Sequence, residues 1–219
     1  MNPVIVDLGC GDRKIRHSVG VDCVHLSGVD KVHDLNVFPY PFDDDSVDRV
    51  VMNNIIEHLD DTIAVLGEVY RMLRPGGVCH IEVVYWNHKY TWSDPQHKHA
   101  FTELSWEFFT GKRKQYYTSY AFELLSFEWQ YDYHLKNIPK FIKRFLGKFL
   151  CNVIAGMVVD LKKPYTEEGK KMEENMTCEY CMESETMHLN PKSDRMLCKS
   201  HRVDVTRNQR RCKDFRRRI

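Results

Sequence analysis

An apolar run, Val4-Ile5-Val6, closes in Asp7-Leu8 and then in the turn Gly9-Cys10-Gly11. This start constrains the chain more than any other feature. Glycines without a Cβ let backbone approach a ligand closely. A second apolar run ends soon after at Asp22, in Val19-Gly20-Val21-Asp22. A carboxylate at the end of a second strand can accept hydrogen bonds from neighbouring sugar hydroxyls. Together the two elements suit a cofactor that contains a nucleoside.

Strands and helices alternate up to about residue 84. Strands are expected at Val4–Leu8, Ser18–Asp22, Val29–His33, Val47–Asn53 and Val78–Tyr85. A helix capped by Asp60 or Asp61 carries Ile63, Leu66, Val69, Tyr70 and Leu73 on one stripe, and Pro75-Gly76-Gly77 stops it. The alternation predicts an α/β fold: a Rossmann-like, mainly parallel sheet with helices on both faces. In such a sheet ligands bind beyond the carboxyl ends of the strands, where Gly9, Gly11, Asp22, Asp34 and Asn53 all fall.

A nicotinamide dinucleotide fits poorly. Its fingerprint needs a third glycine where this chain has Lys14, and an acidic residue farther on than Asp22. The first helix must be very short or missing, so a pyrophosphate would lose its helix N-terminus.

The ordered set Asp7-Leu8-Gly9-Cys10-Gly11, Gly20-Val21-Asp22, His33-Asp34-Leu35, Asp48–Asn53, Glu57-His58-Leu59 and Glu68–Gly77 resembles class I S-adenosylmethionine-dependent methyltransferases with a shortened glycine loop. The resemblance covers roughly residues 3–110. It implies an antiparallel strand near the end of the sheet, expected within Tyr116–Tyr133. It also implies that Gly9, Cys10 and Gly11 face the methionine part of the cofactor, with Asp7 at its amino group. Asp22, with Cys23 beside it, would hold the ribose. Asp34 and Leu35 would border the adenine, and Asn53 the carboxyl or sulfonium side. Arg13 stands where many relatives have another glycine. The segment Asp94–Phe101 tends to border the acceptor pocket in relatives, so His97 and His99 are candidate catalytic residues, with His58 third. The acceptor is left open between a small molecule and a nucleic acid.

Farther on, Ile138, Phe141, Ile142, Phe145, Leu146, Phe149, Leu150, Val153, Ile154, Met157, Val158 and Leu161 alternate spacings of three and one. This predicts a long helix over 138–161 with one apolar stripe. The stripe could pack on the sheet, form a lid, seam a homodimer or lie on a membrane surface. Residues 1–161 are thus read as the methyltransferase-like domain, 162–175 as a charged linker, 176–201 as a Cys/His module and 202–219 as a basic tail. Cys178, Cys181, Cys198 and His201 form two C-x2-C/H hooks, the pattern of a structural zinc ion. The module resembles treble-clef fingers, without the histidine pair of a nuclease. Acidic residues outnumber basic ones through residue 160, and the balance reverses beyond it. The arginine-rich tail could touch nucleic acid or simply be solvated.

Met1 leads straight into a strand, so no signal peptide is expected. No run of about 18 apolar residues is present to span a bilayer. Scattered single cysteines suit a reducing, cytoplasmic setting. The rival to an enzyme is a catalytically inactive methyltransferase-fold scaffold carrying a zinc nucleic-acid module, favoured only by the missing third glycine.

Overall fold

A computed structural model describes residues 3–113 and 118–165, together with the backbone of three short strands farther on. The chain divides into two compact units, Met1–Pro164 and Tyr165–Ile219. The first holds a seven-stranded sheet. Its strands are β1 (Ile5–Leu8), β2 (Val19–Asp22), β3 (Lys31–Val32), β4 (Val47–Asn53), β5 (Leu73–Val84), β6 (Glu123–Tyr131) and β7 (Ile154–Lys162). They run in the order β3-β2-β1-β4-β5-β7-β6. Strands β1 to β5 pair in parallel, and β7 lies antiparallel between β5 and β6. The second unit carries a three-stranded antiparallel sheet, β8 (Met187–Leu189), β9 (Arg195–Cys198) and β10 (Asp204–Thr206). Among the described residues no helix is long and apolar enough to cross a membrane.

The helix α1 (Thr62–Met72) forms for the reasons its sequence gives. Asp61 Oδ1 accepts from the amides of Ile63 and Ala64, at 3.0 and 2.9 Å, satisfying donors that the first turn leaves open. Val65, Leu66, Val69 and Met72 form the buried stripe. They meet one face of the sheet, on which Leu8, Met52, Ile81, Val159 and Phe127 lie side by side across five strands. The apolar core is on this face. Pairing shifted by one residue turns side chains to the opposite face. There the matching row is Asp7, Val51, His80, Asp160 and Ser126.

This second face differs from expectation. The connections Gly9–Ser18, Cys23–Asp30 and His33–Ser46 hold no helix. Parallel strands are usually joined by a helical crossover of a dozen or more residues, and the first two connections are too short for one. The face is therefore polar where a second helix layer would press on apolar side chains. Asp160 accepts from Ser126 Oγ at 2.6 Å and pairs with His80 Nδ1 at 2.7 Å. Gln130 donates to Glu82 at 2.8 Å, and Arg49 is exposed.

The long helix expected over 138–161 is also absent. Within this span only Lys140–Leu146, α2, is helical; turns follow it, and Ile154–Lys162 is strand β7. Asn152 takes a left-handed conformation, with φ 60°, and breaks the run. A Cβ on Gly156 would lie 3.0 Å from the Val83 carbonyl oxygen, so a close strand pairing needs glycine there. The antiparallel strand expected within Tyr116–Tyr133 is this β7, while Glu123–Tyr131 forms the sheet's edge. A homodimer seam along 138–161 thus has no continuous helix to be built on.

The His80 bond holds the Asp160 carboxyl below its usual range, against burial and with help from Ser126 and Arg49. A folded-state pKa below the unfolded one contributes stability above about pH 4, lost as the pH falls through the folded value. Asp160→Asn should cost about 1–2 kcal/mol near neutrality. Denaturant melts should show that cost shrinking in acid.

Candidate active site at the carboxyl edge of the sheet

Register places Leu8 beside Val21 on one side and Met52 on the other. The ends of β1, β2 and β4 therefore lie together. The turn after β1 is tied to β2 by the Gly9 and Cys10 amides, which both donate to the Val21 carbonyl at 2.8 and 3.2 Å. The Gly11 amide then donates to Asp22 Oδ2 at 2.9 Å, and Val24 donates to Asp22 Oδ1 at 3.1 Å. Gly9 and Gly11 both have positive φ, 69° and 52°, a region that costs other residues about 1–2 kcal/mol. At Gly9 there is a second reason. A Cβ would stand 2.4 Å from Ile55 Cγ1. At Gly11 a Cβ would meet nothing within 4 Å, so bare backbone faces open space beside the Asp22 carboxylate.

Each carboxylate oxygen of Asp22 keeps acceptor capacity beyond its backbone partner. A vicinal diol could take it up, as the adenosyl ribose requires. The residues present thus fit an adenosyl group: a cradle that only glycine allows, next to a half-exposed carboxylate. Arg13 and Lys14 do not fill this turn. Arg13 is exposed, and Lys14 Nζ reaches away to Asp30 Oδ2 at 2.7 Å.

The other expected cofactor residues divide. Asp7 is buried, and its Oδ2 accepts from the Ile15 amide at 2.8 Å, holding the loop closed from beneath. Burial pushes its carboxyl up. Cys10 is buried, and burial followed by Asp7 and Asp22 pushes its thiol up, the wrong direction for a nucleophile. Cys23 is exposed. Asp34 Oδ1 accepts from the Asn36 amide at 2.9 Å, while the Leu35 side chain belongs to the apolar core. Asn53 ends β4 exposed.

The three expected histidines are not one cluster. His58 follows β4 in the 3-10 turn Ile56–His58, and its ring meets His97 edge-on, with centroids 4.6 Å apart. Burial, and then the His97 ring, pushes the His58 imidazole down. His97 Nδ1 lies 2.7 Å from the Thr91 carbonyl. His99 stands apart, with Nε2 3.2 Å from the Asp60 carbonyl. It lines a cleft of about 290 Å³ with Ile63, Phe101, Phe108 and Phe109. The segment reaches this edge because Phe101 bridges Tyr85, where the chain leaves β5. Sequence reasoning gave Glu57 no role, yet it is 1% exposed beside His58. The one available signal was an acid set among Ile55, Ile56 and Leu59. Cys178, Cys181 and His201 lie outside the described residues, and Cys198 is described only as strand backbone.

Residues 6–81 match the protein family described as Methyltransferase domain. No curated protein matches the chain in sequence. Among solved structures, one similar fold is an S-adenosylmethionine-dependent methyltransferase from Archaeoglobus fulgidus. It is 16% identical, with 74% of this chain and 86% of that chain covered and a TM-score of 0.54. Another is a methyltransferase of the same dependence from Methanosarcina mazei, 19% identical, with coverage of 75% and 94% and a TM-score of 0.50. The first unit thus has the class I methyltransferase fold.

Gly9→Ala should destabilise the protein by about 2–4 kcal/mol, combining left-handed strain with the Ile55 overlap. In an Ile55→Ala background the same change should cost only about 1–2 kcal/mol. Chemical denaturation of the four proteins measures the difference.

Proposed function

We propose that this protein transfers the methyl group of S-adenosylmethionine to a small-molecule acceptor. The observation that carries the reading is the joint placement of the Gly9–Gly11 turn and the Asp22 carboxylate at one strand edge. When bound, the cofactor would supply a methyl activated by its sulfonium, open to in-line attack at carbon by an acceptor lone pair, with the thioether S-adenosylhomocysteine as the leaving group. Asp22 orients the ribose through its two oxygens. The Gly9–Gly11 backbone lets the methionine portion approach, and Asp7 keeps that backbone in place through the Ile15 amide. Alignment of donor and acceptor can be worth about 7–11 kcal/mol, so the chain's main task is positioning.

The aromatic cleft beside His99 is the acceptor's entry in this reading. A small molecule with an apolar body fits its Ile63, Phe101 and Phe108 walls. When the His99 ring donates Nε2–H to the Asp60 carbonyl, Nδ1 is left as a proton acceptor. His99 is then the base for an acceptor that loses a proton, while the His58 and His97 rings pack on each other and His97 Nδ1 is taken by the Thr91 carbonyl. A nucleic-acid acceptor recruited by the tail beyond residue 202, and a structural zinc on Cys178, Cys181, Cys198 and His201, are separate proposals. The scaffold alternative loses its one argument, because Arg13 and Lys14 leave the glycine turn open.

Calorimetry should show S-adenosylmethionine binding, weakened about 10–100-fold by Asp22→Asn through the loss of charge-assisted bonds. Mass spectrometry of small-molecule extracts should show a product heavier by one methyl for hydrogen. Absence of cofactor binding would contradict the reading. Equal binding by Asp22→Asn would contradict the assignment of the ribose site.

A further inference from the structure

Glu57 is buried to 1% exposure, neither carboxylate oxygen makes a hydrogen bond of normal geometry, and the nearby backbone amides of Glu57 and Val84 do not offset its burial. A buried, unpartnered carboxylate is costly unless it is paired or coordinates a metal. What it faces is two imidazoles. One donor atom from each of Glu57, His58 and His97 lies within 4.8 Å of the others. These gaps leave the carboxylate without a direct hydrogen bond, yet the three donors converge on one point.

The backbone prepares this convergence before any ligand arrives. The amides of Lys98 and His99 both donate to the Glu57 carbonyl, at 2.8 and 3.2 Å. Asp94 Oδ1 accepts from the Gln96 amide at 2.9 Å and closes the turn before His97. His97 is also held in a defined tautomer. Its Nδ1 faces the Thr91 carbonyl at 2.7 Å, so it carries the proton and Nε2 presents a lone pair. A ligating histidine is held in the same way, by a carbonyl on its other nitrogen.

We propose that Glu57, His58 and His97 form a binding site for a divalent transition-metal ion of the zinc class. Two neutral imidazoles and one carboxylate are a donor set for such ions, and three protein ligands leave a coordination position for water or a substrate oxygen. The ion neutralises the Glu57 charge that the fold leaves unpaired. Its three ligands are different residues from the expected set Cys178, Cys181, Cys198 and His201. The inference does not rest on methyl transfer, because occupancy is read from the metal itself.

The test uses the full-length chain with Cys178, Cys181 and Cys198 replaced by serine, stripped with chelator and titrated with Co2+. The site should take up one Co2+ per chain, giving visible d–d bands without the near-ultraviolet thiolate charge-transfer band. Glu57→Gln and His97→Asn should each weaken uptake by more than about 100-fold. Glu57→Gln keeps the side chain's shape and removes a buried charge. With chelator present it should therefore melt no lower than the parent, which separates metal loss from misfolding. Elemental analysis of the unaltered chain loaded with Zn2+ should show one ion fewer per chain after Glu57→Gln. No Co2+ uptake by the serine-substituted chain, or affinity and zinc content unchanged by Glu57→Gln, would overturn the proposal.

Discussion

The Gly11 amide and the Asp22 carboxylate meet at 2.9 Å, and the geometry of the sheet's carboxyl edge follows from that contact. The bond is possible because Gly9 and Gly11 take left-handed backbone, turning the chain back toward β2 immediately after β1. The Val21 carbonyl takes two amides from the same turn. A turn fixed this way brings the carboxylate beside bare backbone without a helix to position it. The usual glycine-rich loop leads into a helix whose N-terminus faces a phosphate. Here the connection runs straight to the next strand, and the side-chain bonds of Asp7, Asp22 and Asp30 do that positioning.

That economy has a consequence across the sheet. Without helices between β1, β2 and β3, one face is left with short loops alone among the described residues. The row Asp7, Val51, His80, Asp160, Ser126 meets this condition with hydrogen-bonded polar groups in place of an apolar layer. The other face, against α1 and the Trp106 region, carries the core. Largely parallel sheets are normally covered on both faces. A chain that keeps the cofactor edge while dropping one layer needs its stability from one-sided packing and from these polar bonds.

Much of the edge was legible in the sequence because it depends on local chemistry. Glycines that need positive φ, an Asp cap at the start of α1 and apolar runs ending in carboxylates each announce themselves. Residues 138–161 were misread because spacing alone was ambiguous. Ile154, Met157, Val158 and Leu161 suit a helix stripe, but Val159, left off that stripe, is fully buried, while Val158 is only half-buried. Strand pairing with β5 decided the matter, and that contact is distant in sequence. Glu57 was missed for a similar reason. Its partner His97 comes from a loop forty residues later, and an isolated acid in an apolar stretch has no periodicity to mark it. The missing second helix layer was half visible, since the short β1–β2 connection signalled a lost helix, but the polar row answering it depends on register across five strands.

Hydrogen–deuterium exchange with and without S-adenosylhomocysteine tests the central claim most directly. It reads the backbone amides that this account places around the adenosyl group. Added ligand should slow exchange in the peptides covering Gly9–Lys14 and Asp22–Val24, and leave the His80, Ser126 and Asp160 peptides unchanged. Protection confined to other parts of the chain, with the glycine turn and the Asp22 strand end unaffected, would contradict the account.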